Sequence, residues 1–376
     1  MHDAYRTAFL DWLACAVGGA EEPAAQAARA AADGLEGRVA AAGTAGHVLD
    51  FDDTYTPGLA HLSAPVAPAA LVLGAELGRT IEDVLAAYTL GFEAMAHLAR
   101  TNHPAMRERG WHPTATCGVF GAATAAARVL ELGGEPFANA LRLSLLAASG
   151  LRAAFGSDGK SLQVGAAAAA GVRAARLAAA GASVPAEVEH GWEQAYGARW
   201  VEPEPGGELA IEGNWIKAYP CCLQTHGAID AALAARERGA RPDTIVVHPV
   251  SLTAAEIEDP ADGLQAKFSI PYLTAYALIR GAPTVASFAE LDPDAREAAR
   301  GLTLRTDPGL LESEAILSRG GEEVARVEAA IGSPRNPMPA ERLARKVRDL
   351  GGERLEGALE DPERPAAELL AAAGLA

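Results

Sequence analysis

The sequence predicts a mainly α-helical protein, a large helical domain into which a smaller α+β domain is inserted. Three observations support this fold class. Alanine-rich segments with helical spacing fill the first part of the chain, β-branched segments between turn residues follow after Asn214, and helical character returns from Ala340. We therefore assign residues 1–214 plus 336–376 to the helical domain and residues 215–335 to the α+β domain.

The helical prediction rests on intrinsic propensity and on periodicity. Alanine has the best helix propensity, and its small side chain lets helices approach closely. In the segment TIEDVLAAYTLGFEAMAHLAR, Thr80 is predicted to cap a helix, with Asp83 three residues on. Apolar residues follow it at helical spacing, namely Ile81, Val84, Leu85, Tyr88 and Phe92. The segment LRLSLLAASGLRAAF, residues 141–155, is also predicted to be helical.

Strand signals define the inserted part. The segment DTIVVHPVSL predicts a strand because β-branched residues stand between turn residues, and GLTLRTD is a second candidate. The segment EAILSRGGEEVARVEAA predicts a hairpin that turns at Gly320-Gly321. Helices are predicted between the strands, around residues 226–240 and 272–280, and GSPRNPMP predicts a proline-rich linker.

The composition excludes several classes of function. Apolar residues make up 49% of the 376 residues, which is enough for a sizeable core, and the net charge is −17. So acidic a chain does not suit nucleic acid, whose phosphates require a basic surface. Arginines interrupt the alanine-rich runs, so no membrane span is predicted. An anionic substrate would need positive charge gathered locally, against the overall field.

Cysteine usage predicts a reduced, cytoplasmic protein. The four cysteines, Cys15, Cys117, Cys221 and Cys222, fit neither C-x-x-C metal spacing nor an ordinary disulfide framework. No signal-peptide pattern opens the sequence. Reduced thiols are typical of the cytoplasm.

The short stretch GKS at Gly159–Ser161 resembles part of a phosphate-binding loop. A P-loop requires another glycine five residues before Gly159, and that position is Ala154. The preceding residues also lack strand character. The pattern therefore disfavours a nucleotide loop, and Lys160 either binds another anion or is a solvated lysine at a helix start.

The segment GHVLDFDDTYTPGLAH, residues 46–61, is dense in polar side chains. Clustered carboxylates bind a divalent metal, orient a histidine, or cap a helix. A metal-dependent prenyl-chain enzyme is one alternative, since such enzymes are helical and use D-D-x-x-D. Here the last position of that motif is Thr56, and no second acidic motif follows, which disfavours the alternative.

Further candidate residues stand just before predicted helices. His112 precedes a proline and a helical run, where a histidine serves as acid or base or is simply structural. The segment NWIKAYPCCLQTHGAIDAAL holds Lys217, Cys222 and His226, which form either a thiol nucleophile with its base or a buried turn. Tyr272 follows a proline at another predicted helix start, as a site residue or a core tyrosine.

Six segments, in order along nearly the whole chain, resemble the MmgE/PrpD family. They are GHVLDFDDTY with HLSAPVAPAALVLGAELG, GWHPTATCGVFGAATAAARVLEL, GSDGKSLQVGAAAAAGVRAARLAAAG, IKAYPCCLQTHGAIDAAL, KFSIPYLTAYAL and GSPRNPMP. The resemblance implies that the inserted domain is a lid, that no metal or organic cofactor is needed, and that the protein is a homodimer.

By the same resemblance, certain positions of this chain would line the active site. They are Asp50, Thr54, His61, His112, Lys160, Lys217 and Tyr272, with His112 and His61 as the proton-transfer residues, Asp50 acting on a histidine, and the two lysines as fixed cations. Where cis-aconitate decarboxylases of this family carry a histidine five residues after the second lysine, this chain has Cys222, with His226 close by in the sequence as a replacement.

The implied activity is that of a lyase for a small di- or tricarboxylic acid. Negative charge develops next to a carboxylate in such reactions, and cations placed beforehand stabilise it. Dehydration of the 2-methylcitrate type is the first expectation. Decarboxylation of the cis-aconitate type, epimerisation of the iminodisuccinate type and a catalytically silent carboxylate-binding protein are the alternatives.

Overall fold

The computed structural model describes residues 3–201 and 207–376. The protein is mainly α-helical, as the sequence predicts, with a small amount of sheet. Its contacts divide it into two compact units. The first contains the chain up to Trp215 together with Ala340–Ala376, and the second is Ile216–Pro339.

The first unit is built from helices. Those before the second unit are α1 (Asp3–Gly19), α2 (Pro23–Ala30), α3 (Gly34–Val48), α4 (Ser63–Glu76), α5 (Ile81–Asn102), α6 (Ala105–Glu108), α7 (Pro113–Thr116), α8 (Gly118–Val129), α9 (Gly134–Leu145), α10 (Gly159–Ala179) and α11 (Glu187–Tyr196). The short strands β1 (Thr54–Tyr55) and β2 (Asn214–Trp215) pair antiparallel. Thr80 caps α5 in a reciprocal capping box with Asp83, as predicted.

The second unit holds a four-stranded sheet and short helices. Its elements are α12 (His226–Glu237), β3 (Thr244–Val247), α13 (Gly263–Ala266), α14 (Ile270–Arg280), α15 (Pro293–Ala299), β4 (Thr303–Thr306), β5 (Ala315–Arg319) and β6 (Glu322–Val327). The strand order is β4-β3-β5-β6, with β3 parallel to β4 and antiparallel to β5. The helices α16 (Ala340–Asp349) and α17 (Ala366–Ala372) belong to the first unit again.

The predicted hairpin is confirmed, and its turn explains the two glycines. Gly320 and Gly321 have φ values of 60° and 90° between β5 and β6. A two-residue hairpin turn of this hand requires positive φ at both central positions, which glycine adopts without steric cost. Residues along β3 and β5 alternate between more buried and less buried, so one face of the sheet is buried. Helix α12 contacts β5 and β6.

Small residues bring α3 and α10 unusually close. A Cβ on Gly165 would lie 2.3 Å from the carbonyl oxygen of Ala40, and one on Gly43 would lie 3.1 Å from the Cα of Gly165. Any larger residue at position 165 would push the two helices apart. The two glycines therefore permit the close packing of α3 against α10.

The helix predicted over residues 141–155 is wrong in its second half. Helix α9 ends at Leu145, and Gly150 has a φ of 117°, which helical backbone cannot adopt. A Cβ at Gly150 would also lie 2.6 Å from the Cβ of Ala115. A short 3₁₀ turn at Arg152–Ala154 follows. The apolar spacing is helical, but the glycine decides the backbone, and the resulting loop returns toward residues 110–112.

Within the described ranges, no helix is both long enough and apolar enough to cross a bilayer.

Candidate active site

The chain after α3 makes a sharp turn that carries three aspartates. Asp50 has a φ of 55°, in the left-handed region, where an aspartate is tolerated because its short polar side chain bonds locally. Its N–H donates to the carbonyl of His47 at 3.0 Å. Residues 50–53 are all buried. The turn thus places the carboxylates in the interior of the first unit.

Lys160 pairs with Asp50 across that interior. The Lys160 ammonium, in the first turn of α10, donates to Asp50 Oδ1 at 2.7 Å. The two side chains are only 11% and 6% exposed, so the interpretation of Lys160 as a solvated lysine is wrong. His61 Nε2 lies 3.6 Å from the same Asp50 oxygen. One carboxylate therefore faces both a fixed cation and a histidine.

Asp52 holds two histidines through one oxygen. His47 Nδ1 lies 2.9 Å from Asp52 Oδ2, and His61 Nδ1 lies 3.1 Å from the same atom. Burial alone would raise the pKa of Asp52, but the two imidazoles beside it lower that pKa well below its usual range. An ionised carboxylate only accepts hydrogen bonds, so both Nδ1 atoms must donate. The lone pair of each neutral ring then lies on Nε2.

Thr54, a predicted binding residue, lies in β1 and is buried beside this pair. Its hydroxyl is 3.5 Å from His61 Nδ1. That distance is at the limit of a hydrogen bond, and the Asp52 oxygen is nearer to the same nitrogen. Thr54 therefore lines the surroundings of His61, while Asp52 orients the ring.

His112 lies at the start of α7 in the same unit. Its ring stands edge-on to Phe155 at 4.9 Å between centroids and is stacked with His47 at 6.2 Å. Its Nδ1 lies 2.7 Å from Gln163 Nε2. Burial, with the charge of Lys160 next in importance, holds the pKa of His112 well below its usual range. The ring is therefore neutral at physiological pH.

Asp53 points the other way and ties structural elements together. It accepts hydrogen bonds from the Ser63 hydroxyl at 2.8 Å and from the Asn214 amide at 2.7 Å. The Ser63 hydroxyl also meets the Tyr88 hydroxyl at 2.6 Å. Burial, reinforced by the neighbouring charge of Asp52, raises the pKa of Asp53 to about 7. We assign Asp53 to the framework that fixes the start of α4 and β2.

Helix α16, which follows the second unit in the sequence, supports the same turn. Lys346 donates to the Phe51 carbonyl at 2.7 Å and pairs with Asp11 at 2.6 Å. Its ammonium also lies 3.8 Å from the centre of the Phe51 ring, within cation–π distance. Lys346 therefore anchors Phe51, which lies between Asp50 and Asp52.

The four lysines of the sequence are all enclosed. Lys160, Lys217, Lys267 and Lys346 expose 9%, 1%, 7% and 6% of their surface. Lysine is almost never fully buried unless it is paired. Two of them, Lys160 and Lys346, form the ion pairs described above.

The remaining predicted site residues belong to the second unit. Lys217 is 1% exposed. Cys222 donates its S–H to Gln224 Oε1 at 3.1 Å, and the His226 ring packs edge-on against Tyr219 at 5.1 Å. All three are buried.

Tyr272 lies in the first turn of α14, as predicted. Its hydroxyl accepts the Asp292 N–H at 2.9 Å, and burial raises the pKa of that hydroxyl. Its side chain lines a cavity of about 300 Å³ within the second unit, together with Arg296 and Arg300. The predicted residues thus divide between the units: Asp50, Thr54, His61, His112 and Lys160 gather in the first, whereas Lys217, Cys222, His226 and Tyr272 lie in the second.

Three side chains have the composition and spacing to hold a metal ion. Among the described residues they are His47, Asp52 and His61, whose ligand atoms lie within 4.8 Å of one another. The same distances are those of hydrogen bonds from two imidazoles to one carboxylate. The metal-dependent prenyl-chain alternative, which requires a D-D-x-x-D motif, is further disfavoured because Asp53 accepts hydrogen bonds from Ser63 and Asn214.

Sequence reasoning gave three residues of this cluster no role. His47 and Asp52 stand in the polar stretch, but nothing in their spacing distinguishes Asp52 from Asp50 as the partner of a histidine. Gln163 follows Lys160 by three residues, so it lies on the same side of α10. That helical spacing is the one signal that would have found it.

A helical scaffold with buried histidines, carboxylates and a lysine in one cluster is typical of an acid–base enzyme. Comparison with known protein families identifies the class of enzyme more specifically. The model of the MmgE/PrpD N-terminal domain matches residues 1–200, and that of the MmgE/PrpD C-terminal domain matches residues 219–370. The chain belongs to the MmgE/PrpD family, as its motifs predict, and is a lyase or related enzyme of that family.

Two named relatives share the family. The cis-aconitate decarboxylase of Homo sapiens is 29% identical over 341 residues, which cover 81% of this chain and 70% of the relative. The cis-aconitate decarboxylase of Mus musculus is 26% identical over an alignment with the same coverage.

Proposed function

We propose that the protein is a cofactor-independent lyase for a small di- or tricarboxylic acid, and that it moves a proton at a carbon next to a carboxylate. The observation that supports this best is the meeting of Lys160 and His61 at one Asp50 oxygen, at 2.7 Å and 3.6 Å. A fixed cation beside a histidine is what a carbanion next to a carboxylate requires. Dehydration of a 2-hydroxy acid of the 2-methylcitrate type is the reaction proposed first.

Lys160 supplies the cation in this proposal. The chain carries a net charge of −17, so an anionic substrate needs a local positive group. A substrate carboxylate would compete with Asp50 for the Lys160 ammonium. Because the ammonium is already desolvated, its attraction for charge that develops on the substrate is stronger than it would be in water.

His61 transfers the proton in this proposal. The contact with Asp52 fixes the hydrogen on Nδ1 and leaves the Nε2 lone pair as the acceptor. When Nε2 takes a proton, the imidazolium lies between two carboxylates, Asp52 and Asp50. Those charges stabilise the protonated ring, as a carboxylate does for the histidine of a hydrolase triad.

Dehydration and decarboxylation require opposite protonation states of the histidine that exchanges a proton with the substrate. In dehydration, the C–H bond adjacent to the carboxylate breaks and its proton goes to His61. The hydroxyl group then leaves the neighbouring carbon as water, with a proton from protonated His61 or from solvent. In decarboxylation, the C–C bond breaks, CO₂ leaves, and the electron pair on carbon takes a proton from an acid. The first therefore needs neutral His61, and the second needs a protonated donor.

Decarboxylation is the second candidate because both named relatives are cis-aconitate decarboxylases. The pH dependence of kcat/KM separates the two. A dehydratase gains activity as His61 loses its proton, so kcat/KM rises with pH. A decarboxylase that uses the same histidine as the acid loses activity in that direction.

The test is NMR of citrate-like, cis-aconitate-like and aspartate-derived acids incubated with the protein in D₂O. Dehydration yields an alkene and water, decarboxylation yields CO₂ with deuterium in the product, and epimerisation exchanges the α-hydrogen without release of water or CO₂. Lys160→Met and His61→Gln should each lower turnover by about 10²-fold or more. Arg173→Met, which removes a charge from an exposed position of α10, is the control. Absence of turnover with every acid, or full activity in both site variants, would refute the proposal.

The residues of the second unit enter this proposal through the family resemblance alone. Lys217→Met and Tyr272→Phe are expected to lower turnover of the same substrate. Cys222 and His226 are proposed to bind the substrate, so Cys222→Ser and His226→Gln are expected to raise KM. Sedimentation analysis tests the proposed homodimer, which a monomer at working concentration would contradict.

A further inference from the structure

Gln163 is held so that its orientation is fixed by the backbone. The Leu151 N–H donates to Gln163 Oε1 at 2.8 Å, and the Leu151 carbonyl accepts from Gln163 Nε2 at 3.2 Å. A backbone N–H only donates, so the oxygen of the amide must face it. The amide nitrogen therefore faces His112 Nδ1, at 2.7 Å.

The loop that positions Gln163 also positions His112. The His112 N–H donates to the Gly150 carbonyl at 3.1 Å, and the Arg152 N–H donates to the Gly110 carbonyl at 2.9 Å. Trp111 and Leu151 form an antiparallel bridge between these contacts. The same backbone ladder thus fixes both ends of the Gln163–His112 hydrogen bond.

This hydrogen bond decides where the proton of His112 lies. The amide group only donates through its nitrogen, so Nδ1 must accept, and the proton of the neutral ring lies on Nε2. Protonation of Nδ1 would place two donors face to face at 2.7 Å. The surrounding cationic or titratable groups, Lys160, His47, His61 and Arg107, also disfavour a second proton.

The two histidines are therefore held in opposite tautomers. Asp52 accepts from His61 Nδ1, which leaves His61 Nε2 as an acceptor. Gln163 donates to His112 Nδ1, which leaves His112 Nε2 as a donor. Proton abstraction next to a carboxylate needs an acceptor for the proton and a donor to the oxygen that becomes negative. His61 Nε2 and His112 Nε2 have these two polarities.

We propose that Gln163 is a positioning residue that holds His112 as the neutral Nε2–H tautomer, and that His112 donates a hydrogen bond to the substrate oxygen on which negative charge develops. The substrate proton moves to His61 Nε2, the electron pair of the broken C–H bond moves into the substrate carboxylate, and His112 keeps its own proton. The catalytic half rests on the proposed function, whereas the tautomer does not.

The tautomer is measured first, by two-bond ¹⁵N–¹H NMR correlation of the ring nitrogens in the full chain labelled at histidine. The His112 signals are identified by their loss in His112→Asn. We expect Nδ1 to be unprotonated and Nε2 protonated at neutral pH and in mildly acidic buffer, because burial and the charge of Lys160 hold the pKa of His112 well below its usual range. A protonated Nδ1 in the wild-type protein would overturn the proposal whatever the substrate is.

Gln163→Glu reverses the hydrogen bond with almost no change of shape. The carboxylate accepts from Nδ1–H, so the tautomer should invert and the pKa of His112 should rise. We expect kcat to fall by about 10²-fold, as for the loss of one oxyanion donor, with a smaller change in KM and a displaced pH profile. Gln26→Glu adds the same charge at an exposed position of α2 and should change none of these.

Gln163→Leu separates positioning from charge. It removes the donor, so both tautomers become populated and kcat should fall less than in Gln163→Glu. The predicted wild-type tautomer combined with normal turnover in both variants would refute the catalytic half. The predicted tautomer combined with no lyase activity on any carboxylic acid would refute the proposed function and leave the positioning role established.

Discussion

Replacing Lys160 by Met and Asp50 by Asn, singly and together, separates the stability of their ion pair from its part in catalysis. Asn is the appropriate substitute because Asp50 has a φ of 55°, and Asn tolerates the left-handed region better than most residues. Met keeps the length of the Lys160 stem and removes its charge. Each single variant leaves one buried group without its partner, and the double variant leaves neither.

The distance and burial of the pair set the expected magnitude. At 2.7 Å, two unit charges attract by about 6 kcal/mol at an effective dielectric constant of about 20. Desolvation of both groups offsets much of this, but loss of one partner from a buried pair costs about 3 to 5 kcal/mol. With side chains 11% and 6% exposed, we expect about 3 kcal/mol for each single variant. The double variant should lose about the same amount, not twice as much.

Tryptophan fluorescence in urea is the appropriate assay. The five tryptophans, Trp12, Trp111, Trp192, Trp200 and Trp215, all lie in the first unit. The fluorescence transition therefore reports the unfolding of the unit that contains the pair. Turnover measured on the same samples should be lost in all three variants, because each lacks either the Lys160 cation or the Asp50 carboxylate beside His61.

Additive losses would refute the reasoning. If the loss in the double variant equals the sum of the single losses within about 0.5 kcal/mol, the two groups are not coupled. Arg173→Met, at an exposed position of the same helix, controls for a general effect of charge and should cost less than about 0.5 kcal/mol.

Three further predictions concern the surroundings of the site. Lys346→Met should destabilise the first unit by about 3 kcal/mol and lower turnover, because the Phe51 carbonyl loses its anchor; full activity would contradict that role. Asp53, with its pKa raised from 3.8 to about 7, should stabilise the fold below about pH 4 and lose that contribution as pH rises to 7. The unfolding free energy of Asp53→Asn relative to wild type should therefore increase from pH 4.5 to 7.5, by about 3 kcal/mol, and a pH-independent difference would contradict the shift. Dialysis against EDTA should leave turnover unchanged, because Asp52 already accepts from two imidazoles; activity that is lost and then restored by zinc would contradict a metal-free site.

Local rules were enough to predict much of the secondary structure. The Thr80 capping box, the Gly320-Gly321 hairpin and the strand at Thr244–Val247 each depend on a few adjacent residues. The helix over residues 141–155 failed because one glycine in a left-handed conformation outweighs an apolar spacing that is otherwise helical. Propensity averages over a window, whereas that loop is decided at Gly150.

The contacts between side chains in the site were harder to predict from the sequence. The sequence marks Asp50 and Lys160 as polar residues in suitable segments, but their contact spans 110 positions and depends on the close approach of α3 and α10. Which aspartate holds a histidine depends on the backbone turn at Asp50, which no propensity encodes. The tautomer of His112 depends on the side-chain amide of Gln163, whose orientation is set by the backbone of Leu151.

The enclosure of every lysine gives the molecule a built-in reporter of its own opening. An amine-directed reagent such as a succinimidyl ester meets arginine on the described exterior, and arginine does not react with it. Acylation of Lys346 then requires the first unit to open, and acylation of Lys217 and Lys267 requires the second to open. Mass spectrometry of these three lysine peptides from one sample would therefore measure the opening of each unit separately.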